Sequence, residues 1–408
     1  MKELRNIFCI GLFLVLVLTF LCPSAMVQAA EKKEIIIGAP IPITGNIAMN
    51  GGEEKWAFEQ AIKDANAKGG IFIKQYNKKL PIKFIVEDAE SDPGKAVAAT
   101  ERLVKIDKVD LLLSSCTGNL VVPVAMAAEK MKVYYHASSC FPFLWRPGNY
   151  KWSTLYFFEL PQGADVPFDV LTSLPPAERP KKLALLMEDS ADGRAFDGGL
   201  REAAKKYKYE VALSEFLGVG AKDYSAQILK LKSQGIDSGV LLCADTDAIT
   251  FVRQSKEADF NIKYLHGNKG TVSNEFYSAL GKDADYVLAD GLWSPEWPYP
   301  KAKEIGDRYQ KEFHRDSQAI GLYYALAQTL LMAIEKAGTV DGAKVRQAVM
   351  TTPFKGTVMG DIKYKPDGVA VFINGAFQWW EGKLKTVFPF ELSGGWKLKL
   401  APPWKERK

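Results

Sequence analysis

The sequence contains little histidine, little cysteine and no strong excess of charge of one sign. Three histidines and five cysteines occur in 408 residues, and no two of the cysteines form a Cys-x-x-Cys pair. This scarcity speaks against a zinc site or a thiol redox motif. The 53 Lys and Arg residues barely outnumber the 48 Asp and Glu residues and form no long basic run. The charge pattern of a nucleic-acid-binding protein is therefore missing.

Motifs of the common enzyme classes are absent as well. The chain has no Gly-x-x-x-x-Gly-Lys-Ser/Thr phosphate loop, no Gly-x-Ser-x-Gly elbow and no His-Glu-x-x-His pair. The three candidate general bases at neutral pH, His136, His266 and His314, all fit ordinary strand-end or surface positions. We therefore predict that the protein is not an enzyme and that it uses no metal and no cofactor.

Long apolar runs are confined to the first thirty residues. A short basic start precedes the run Ile7–Leu21, and small residues follow at Val27–Ala30. This run is shorter than the roughly 20 residues that cross a bilayer, so residues 1–30 are predicted to be a secretory signal peptide cleaved near Ala29-Ala30. Lipoprotein anchoring through Cys22 is disfavoured because Leu21 stands where such signals carry a small residue. We expect a soluble mature protein outside the cytoplasm.

After the signal, short apolar runs alternate with helical patterns. The first series extends from Glu34–Ala39 to Val133–His136, and a second begins at Leu183–Met187 after the proline-rich link Leu174–Pro180. Buried strands joined by helices indicate parallel sheets, so the predicted fold class is α/β with two lobes of similar design. In such sheets ligands bind beyond the carboxyl ends of the strands.

The loops after these strands are rich in small polar residues. In the first series they are Thr44–Asn46, Ser114–Asn119 and Ala137–Cys140. Backbone N–H groups at a helix start attract anions, so a carboxylate can bind there with hydroxyl groups around it. The alternative is that these Ser and Thr residues only cap helices. In the second series Cys243–Asp247 places two carboxylates at a helix start, where one can pair with a ligand ammonium.

Together, these segments resemble the leucine/isoleucine/valine-binding protein family, the type I periplasmic solute-binding proteins of ABC transporters for branched-chain amino acids. The matching segments follow the family's order over nearly the whole mature chain. They are Pro42–Gly45, Ala61–Ile71, Glu87–Pro93, Asp223–Ile228 and Gly375–Trp379.

The resemblance implies two Rossmann-like lobes joined by three hinge segments, with a ligand in the cleft between them. Residues 31–152 and 272–354 are expected to form the first lobe, and 153–271 and 355–392 the second. Residues 393–408 are expected to be a basic C-terminal tail. The protein is expected in the periplasm, where it delivers its ligand to the permease subunits of an ABC transporter, and it is expected to be a monomer.

The resemblance also implies the ligand-binding residues. Two first-lobe loops are expected to face the ligand carboxylate, and they contain Ser115, Cys116, Thr117, Ser138, Ser139 and Cys140. Asp247 matches best the acid that pairs with the amino group, with Asp245 as the alternative. Tyr224 and the Gly267–Gly270 loop, which includes Asn268, complete the expected wall.

Two departures from the family pattern affect the expected ligand. Asn50 stands where the family has a tryptophan that covers the ligand, and Asp192 stands where a tyrosine is usual. The segment Phe141–Trp145 is rich in aromatic residues and can form another wall or merely a packed loop. We expect a small amino acid of the branched-chain type or a related ligand. An aromatic or other organic acid, or an amide, is the alternative, and a ligand sensor or a cleft hydrolase is disfavoured.

The cysteines that remain after signal cleavage leave one further question. Cys116 and Cys140 follow neighbouring strands of the predicted sheet, whose spacing of about 4.8 Å is compatible with a disulfide. Two reduced, buried thiols are the alternative.

Overall fold

The computed structural model describes residues 32–114 and 117–407. The predicted signal peptide and the predicted ligand residues Ser115 and Cys116 lie outside this range. The elements below all belong to the folded unit Ile35–Lys408. Among the described residues, no helix combines the length and the apolar character needed to cross a membrane.

Strands and helices alternate through most of the described chain, as predicted. The strands are β1 (Ile35–Ile41), β2 (Ile71–Ile73), β3 (Lys78–Leu80), β4 (Ile82–Asp88), β5 (Leu111–Ser114), β6 (Tyr135–Ser138), β7 (Ser153–Tyr156), β8 (Lys182–Glu188), β9 (Glu210–Leu217), β10 (Ser238–Cys243), β11 (Tyr264–Lys269), β12 (Leu288–Gly291), β13 (Phe354–Thr357), β14 (Gly360–Ile362), β15 (Val369–Ala370), β16 (Gly375–Trp380) and β17 (Lys383–Phe388). The helices are α1 (Ala48–Asn66), α2 (Pro93–Lys105), α3 (Gly118–Met131), α4 (Pro142–Trp145), α5 (Leu160–Thr172), α6 (Ala191–Tyr207), α7 (Ser225–Gln234), α8 (Asp245–Glu257), α9 (Asn274–Leu280), α10 (Ala302–Phe313), α11 (Ile320–Ala337) and α12 (Gly342–Thr351).

Local sequence explains why several elements start where they do. Asp92 caps α2 by accepting a hydrogen bond from the Lys95 backbone N–H at 2.9 Å, and Pro93 occupies the first helical position, where its fixed backbone angle suits a helix. Ser190 caps α6 in the same way through the Gly193 N–H at 3.1 Å. Strands such as β1 are buried on both faces, which accounts for their continuous apolar sequence.

The first lobe is built on a six-stranded sheet in the order β15-β7-β6-β5-β1-β4. All neighbouring pairs in this sheet are parallel. The long apolar helix α11 packs against α1 and α12, and α2 packs against α3. The parallel-sheet core predicted for this lobe is confirmed.

The second lobe is built on a seven-stranded sheet in the order β17-β16-β12-β11-β10-β8-β9. Strands β8 to β12 pair in parallel, whereas β16 and β17 add an antiparallel hairpin at one edge. Helices α5 and α6 pack together on one face of this sheet, over a separate apolar cluster.

Three segments connect the two sheets. They are residues 157–159, 292–301 and 371–374, which follow β7, β12 and β15 respectively. The three hinge segments of the predicted fold are therefore present.

Sheet membership moves the lobe boundaries that we predicted. Strand β12 pairs with β11, so the second connection comes after Gly291 rather than at 272. Strand β15 pairs with β7, so the third connection comes after Ala370 rather than at 354. Both strands are short, and their membership is decided by hydrogen bonds to distant strands, which local sequence does not reveal.

The predicted C-terminal tail packs along the second lobe. The Lys399 backbone N–H donates to Gln378 at 3.0 Å, and the Ala401 N–H donates to the Lys263 carbonyl at 2.9 Å. The Trp404 indole donates to the Phe260 carbonyl at 3.0 Å. These contacts make the described part of the tail a strap on the second lobe.

Candidate functional site

The carboxyl ends of the two sheets meet the same connecting region. The first two connections leave from the carboxyl ends of β7 and β12, and the third leaves from the carboxyl end of β15, which is parallel to β7. Across this region the Phe141 ring of the first lobe lies 5.8 Å from the Phe196 ring of the second. We call the loops beyond the carboxyl ends the first-lobe edge and the second-lobe edge. They enclose the candidate site.

The loop after β1 is held in place by one carboxylate. Asp88 accepts hydrogen bonds from the Ile43 N–H at 2.9 Å, from the Thr44 N–H at 3.2 Å and from the Thr44 hydroxyl at 2.7 Å. Burial works in the opposite direction, but these hydrogen bonds lower the pKa of Asp88. The loop leads into α1, where Asn50 lies exposed in the first turn.

The start of α3 has an unused capping position. Thr117 occupies the N-cap, but its side chain makes no capping hydrogen bond. The hydroxyl is half-buried and free to bond elsewhere, so the interpretation of Thr117 as only a helix cap does not hold. A side chain on the next residue, Gly118, would lie 3.4 Å from the Cys140 Sγ atom, so the loop after β6 packs closely against this helix start.

Two serines, at the end of β6 and at the start of the following loop, lie in different environments. Ser138 is buried and its hydroxyl donates to the Tyr156 carbonyl at 2.6 Å, while its ligand-binding role stays a prediction. Ser139 is half-buried and adopts a left-handed backbone with φ of 53°. That conformation turns the chain at the carboxyl end of β6.

Cys140 carries a free thiol, and Cys116, the partner of the disulfide that we considered, lies outside the described residues. Its Sγ atom lies 3.5 Å from the Phe141 carbonyl oxygen. Burial, together with the negative charge of Asp192, raises the pKa of the Cys140 thiol to about 12. Asp192 belongs to the first turn of α6 in the second lobe, where its side chain is exposed. The contact between Phe141 and Phe196, which lie near these two residues in the chain, brings the two lobe edges together at this point.

At the second-lobe edge, the Asp247 side chain is buried and bonds the backbone of a neighbouring loop. It is only 2% exposed, and its Oδ2 atom accepts a hydrogen bond from the Gly220 N–H at 3.0 Å. This bond ties the loop after β9 to the start of α8. Tyr224 is also buried, and burial together with the charge of Asp247 raises the pKa of its hydroxyl.

Asp245 lies in the same first turn of α8 but is more accessible. It is half-buried, and burial raises its pKa, although a hydrogen bond with Ser273 and the charge of Lys269 act in the opposite direction. Glu275 nearby raises the pKa further. Of the two predicted acids, Asp245 is therefore the more exposed.

Sequence reasoning missed an ion pair at this edge. Lys269 Nζ donates to Glu188 Oε1 at 2.8 Å, and the Ser190 hydroxyl donates to the same oxygen at 2.9 Å. Strand β10 lies between the strands of these two residues, so the Lys269 side chain crosses the carboxyl end of β10. Lys269 and Glu188 each stand at the end of a strand, and that position was the only indication of this ion pair in the sequence. The edge thus carries the carboxylates of Glu188, Asp192, Asp245 and Asp247 together with the ammonium of Lys269.

Asn268 lies inside the lobe. It is 4% exposed, and its amide donates to Asp290, which also bonds His266 Nε2 at 2.6 Å. Its Oδ1 atom is buried and has no hydrogen-bond partner among the described residues. His266 in turn contacts the Tyr264 hydroxyl at 3.1 Å. Asn268 therefore belongs to a buried polar chain, and its contact with a ligand stays a prediction.

His136, the other histidine that lies in a strand, is also part of the buried core. His136 is fully buried in β6, between the hydroxyl groups of Tyr134 at 2.8 Å and Thr329 at 3.1 Å. Burial lowers its pKa to about 3. Among the described residues, no group of three or more acidic, histidine or cysteine side chains is placed to hold a metal ion.

Aromatic side chains fill the region where the first and third connections leave the first sheet. Phe141 contacts the rings of Phe157, Phe158 and Phe143, with centroids between 5.4 and 5.9 Å apart. The Phe143 ring is stacked on Phe141 and is 44% exposed. Phe141–Trp145 is therefore partly a packed loop and partly an accessible aromatic surface.

A family described as "Periplasmic binding protein" matches residues 34–374, which include the first-lobe sheet, strands β8 to β12 of the second-lobe sheet and all three connections. The chain belongs to the periplasmic binding protein family. Its members are solute-binding proteins rather than enzymes.

Named relatives agree with this membership. The chain is 27% identical over 345 residues to the Leu/Ile/Val-binding protein homolog 1 of Brucella abortus, covering 82% of this chain and 87% of that protein.

Solved structures share the fold. One is the branched-chain amino acid transporter substrate binding protein of Streptococcus pneumoniae in complex with isoleucine, with a TM-score of 0.74, 21% identity and coverage of 86% of this chain and 98% of that one. Another is a solute binding protein of an ABC transporter from Rhodopseudomonas palustris in complex with 3,4-dihydroxybenzoic acid. Its TM-score is 0.68, with 19% identity and coverage of 86% and 95%. These likenesses confirm the type I periplasmic binding protein fold.

Proposed function

We propose that the protein is the exported solute-binding component of an ABC importer. In this proposal it captures a small amino acid of the branched-chain type, or a related ligand, between its lobes and delivers it to a membrane permease. It acts in the periplasm as a monomer. Family membership and the Leu/Ile/Val-binding relatives support the class of ligand.

The observation that carries the proposal is the difference in charge between the two helix starts, with no acidic side chain in the first turn of α3 and two in the first turn of α8. The first-lobe edge presents the start of α3, where partial positive charge and the free Thr117 hydroxyl favour a carboxylate. The second-lobe edge presents Asp245 in the first turn of α8, among more carboxylates than cations. A zwitterion with its carboxylate toward the first lobe and its ammonium toward the second matches both edges.

In this arrangement Asp245 pairs with the ligand ammonium, and Asp247 holds the start of α8 in position. This assignment reverses the preference that the family resemblance implied. The reason is accessibility, since Asp247 is 2% exposed and already accepts the Gly220 N–H.

Polar anchoring has to supply most of the affinity. A micromolar dissociation constant corresponds to about −8 kcal/mol, whereas burial of one aliphatic side chain contributes roughly 1.5–3 kcal/mol. The exposed Asn50 offers an aliphatic ligand little apolar cover. Charge pairing and closure of the lobes over the ligand must therefore contribute the remainder.

An aromatic acid is the second candidate ligand. The accessible Phe143 ring, stacked on Phe141, can contact an aromatic ring at the first-lobe edge. The similarly folded protein from Rhodopseudomonas palustris was crystallised with such an acid.

Calorimetric titration of ligand-free protein with L-leucine and with 3,4-dihydroxybenzoate separates the two candidates. We expect saturable one-to-one binding of L-leucine and no consumption of ligand on prolonged incubation. Asp245→Asn should weaken leucine binding but leave binding of the aromatic acid intact. Binding of the aromatic acid alone would replace the amino-acid assignment. Failure of both compounds, or turnover of either, would contradict the proposal.

A further inference from the structure

A polar contact between the lobes lies beside the candidate site. Residues Asn274 and Glu275 begin α9 in the second lobe, and Arg315 and Asp316 belong to the loop between α10 and α11 in the first lobe. The Asn274 amide donates to the Asp316 carbonyl at 2.9 Å. One residue further along each segment, the Arg315 guanidinium lies 3.8 Å from a Glu275 oxygen.

The ion pair is longer than most others in this protein. Lys269–Glu188 and Arg201–Asp197, for example, have nitrogen–oxygen distances of 2.8 and 2.7 Å. The distance of 3.8 Å between the Arg315 nitrogen and the Glu275 oxygen can shorten by about 1 Å before it reaches hydrogen-bond length. The neighbouring Asn274–Asp316 bond is already formed and can act as a fixed point for that movement.

The Arg315 side chain is held ready by its own lobe. Its Nε atom donates to the Tyr309 hydroxyl at 3.2 Å, and its guanidinium lies over the rings of Tyr309 and Phe313 at 5.9 and 6.0 Å. The Tyr309 hydroxyl donates to Glu53 in α1 at 3.0 Å. These contacts restrict the rotamers of Arg315, so less entropy is lost when it meets Glu275.

The other partner is connected to the candidate ligand site. Helix α9 packs against α8, whose first turn contains Asp245. Glu275 and Ser273, the residue that caps α9, both influence the pKa of Asp245. A contact that fixes the start of α9 therefore also fixes the surroundings of Asp245.

We propose that Arg315 is a positioning residue, which joins the lobes through Glu275 and biases the protein toward the closed form that holds the ligand. The expected effect of Arg315 on ligand affinity rests on the proposed binding function. The expected effect of Arg315 on the distance between the lobes does not, because it is present without ligand. Because both side chains are partly exposed, we expect a modest bias, about two- to fivefold in the ratio of closed to open forms.

Distances between the lobes of ligand-free protein test the inference directly. Spin labels on noncanonical residues at Met126 in α3 and Leu229 in α7 report the separation, because both positions are exposed and belong to different lobes. Pulsed electron resonance should show a shift toward longer distances in Arg315→Gln and in Glu275→Gln. The charge-swapped pair Arg315→Glu with Glu275→Arg should restore the original distribution.

Arg308→Gln is the matched control. Arg308 has a similar exposure but bonds Asp64 at 2.8 Å inside the first lobe, so its loss should leave the distance distribution unchanged. An unchanged distribution in both Arg315→Gln and Glu275→Gln overturns the inference, as does an equal shift in Arg308→Gln. Titration with L-leucine then measures the expected two- to fivefold loss of affinity. Failure of leucine to bind wild-type protein would contradict the proposed ligand, while the ligand-free distances would still decide the role of Arg315.

Discussion

The two edges of the cleft are made of different chemistry on similar frameworks. Each follows the carboxyl ends of a parallel sheet and includes the start of a helix, α3 in the first lobe and α8 in the second. Around the start of α3, the first-lobe edge carries the hydroxyl groups of Thr117 and Ser139 and the buried thiol of Cys140, while the Asp88 carboxylate holds the loop after β1. The second-lobe edge is charged. The same arrangement of strand end and helix start can therefore attract either the carboxylate or the ammonium of a ligand, depending on the side chains at the helix start.

Two glycines near these helix starts differ in how closely other atoms approach them. A Cβ atom on Gly270, in the second lobe, would lie 2.5 Å from the Cys243 carbonyl oxygen. A Cβ atom on Gly118, in the first lobe, would lie no closer than 3.2 Å to a movable Leu144 side chain. The backbone at Gly270 therefore has no room for a larger residue, whereas the surroundings of Gly118 can adjust.

The largest expected effect tests this difference in packing. Gly270→Ala should lower the free energy of unfolding by at least about 3 kcal/mol, because the clash is with backbone that cannot move aside. Gly118→Ala should change it by less than about 1 kcal/mol, since alanine favours the helix and Leu144 can shift. Urea denaturation of both variants measures the contrast. Equal losses would show that the two glycine positions are equally tight.

The next largest effect tests the charge of the second-lobe edge. Asp245→Asn should weaken L-leucine binding by roughly 10- to 100-fold, as expected for loss of a charged hydrogen-bond partner. The melting temperature should hardly change, because Asp245 is half exposed. Asp247→Asn serves as the comparison, and it should instead destabilise the loop held through Gly220. Calorimetry and thermal melting together distinguish the two acids. If Asp247→Asn weakened leucine binding and Asp245→Asn lowered the melting temperature instead, the ligand ammonium would be assigned to Asp247.

The pH dependence of binding should follow the same carboxylate. Folding raises the pKa of Asp245, and a ligand ammonium binds only its ionised form. Leucine affinity should therefore fall as the pH is lowered through that raised pKa, by at most about tenfold per pH unit. Without ligand the sign is opposite, since a carboxyl with a raised pKa contributes stability at low pH that is lost as the pH rises. Asp245→Asn should flatten the binding profile measured between pH 4 and 7, and an unaltered profile would contradict the assignment.

The smallest expected effect belongs to the first-lobe edge. Thr117→Val removes a hydroxyl that makes no capping bond, so the start of α3 should remain stable. Leucine affinity should drop by about two- to tenfold, the usual net contribution of a neutral hydrogen bond. Thr117→Ser, which keeps the hydroxyl, is the control. A loss as large as that of Asp245→Asn would show that both edges contribute equally.

Much of the fold was predictable because its signals are local. Continuous apolar strands such as Leu183–Met187 and capped helix starts such as Asp92-Pro93 identified the alternation and the two lobes. The short strands β7, β12 and β15 were assigned to the wrong lobe. Their places depend on pairing with strands far away in the chain, and two to four residues carry too little pattern to indicate a partner.

For the site, sequence reasoning found the loops but not the roles within them. Strand ends are predictable, so Thr117, Asp245 and Cys140 were placed at the correct edges. The hydroxyl of Ser138 and the carboxylate of Asp247 look like ligand groups in the sequence, yet both bond backbone from other segments. The Lys269–Glu188 pair was missed for the same reason, since its partners come from strands 81 positions apart in the chain.

The amino-acid sequence by itself determined the alternation of strands and helices, the chemical composition of each strand-end loop and the resemblance to the periplasmic binding proteins. These properties depend on residue type and on spacing over a few residues. Only the tertiary structure decided which lobe each short strand joins, which polar groups are used up inside the fold, and that Arg315 meets Glu275 across the lobes. Burial and hydrogen bonding depend on neighbours brought together from distant parts of the chain, and no local pattern specifies them.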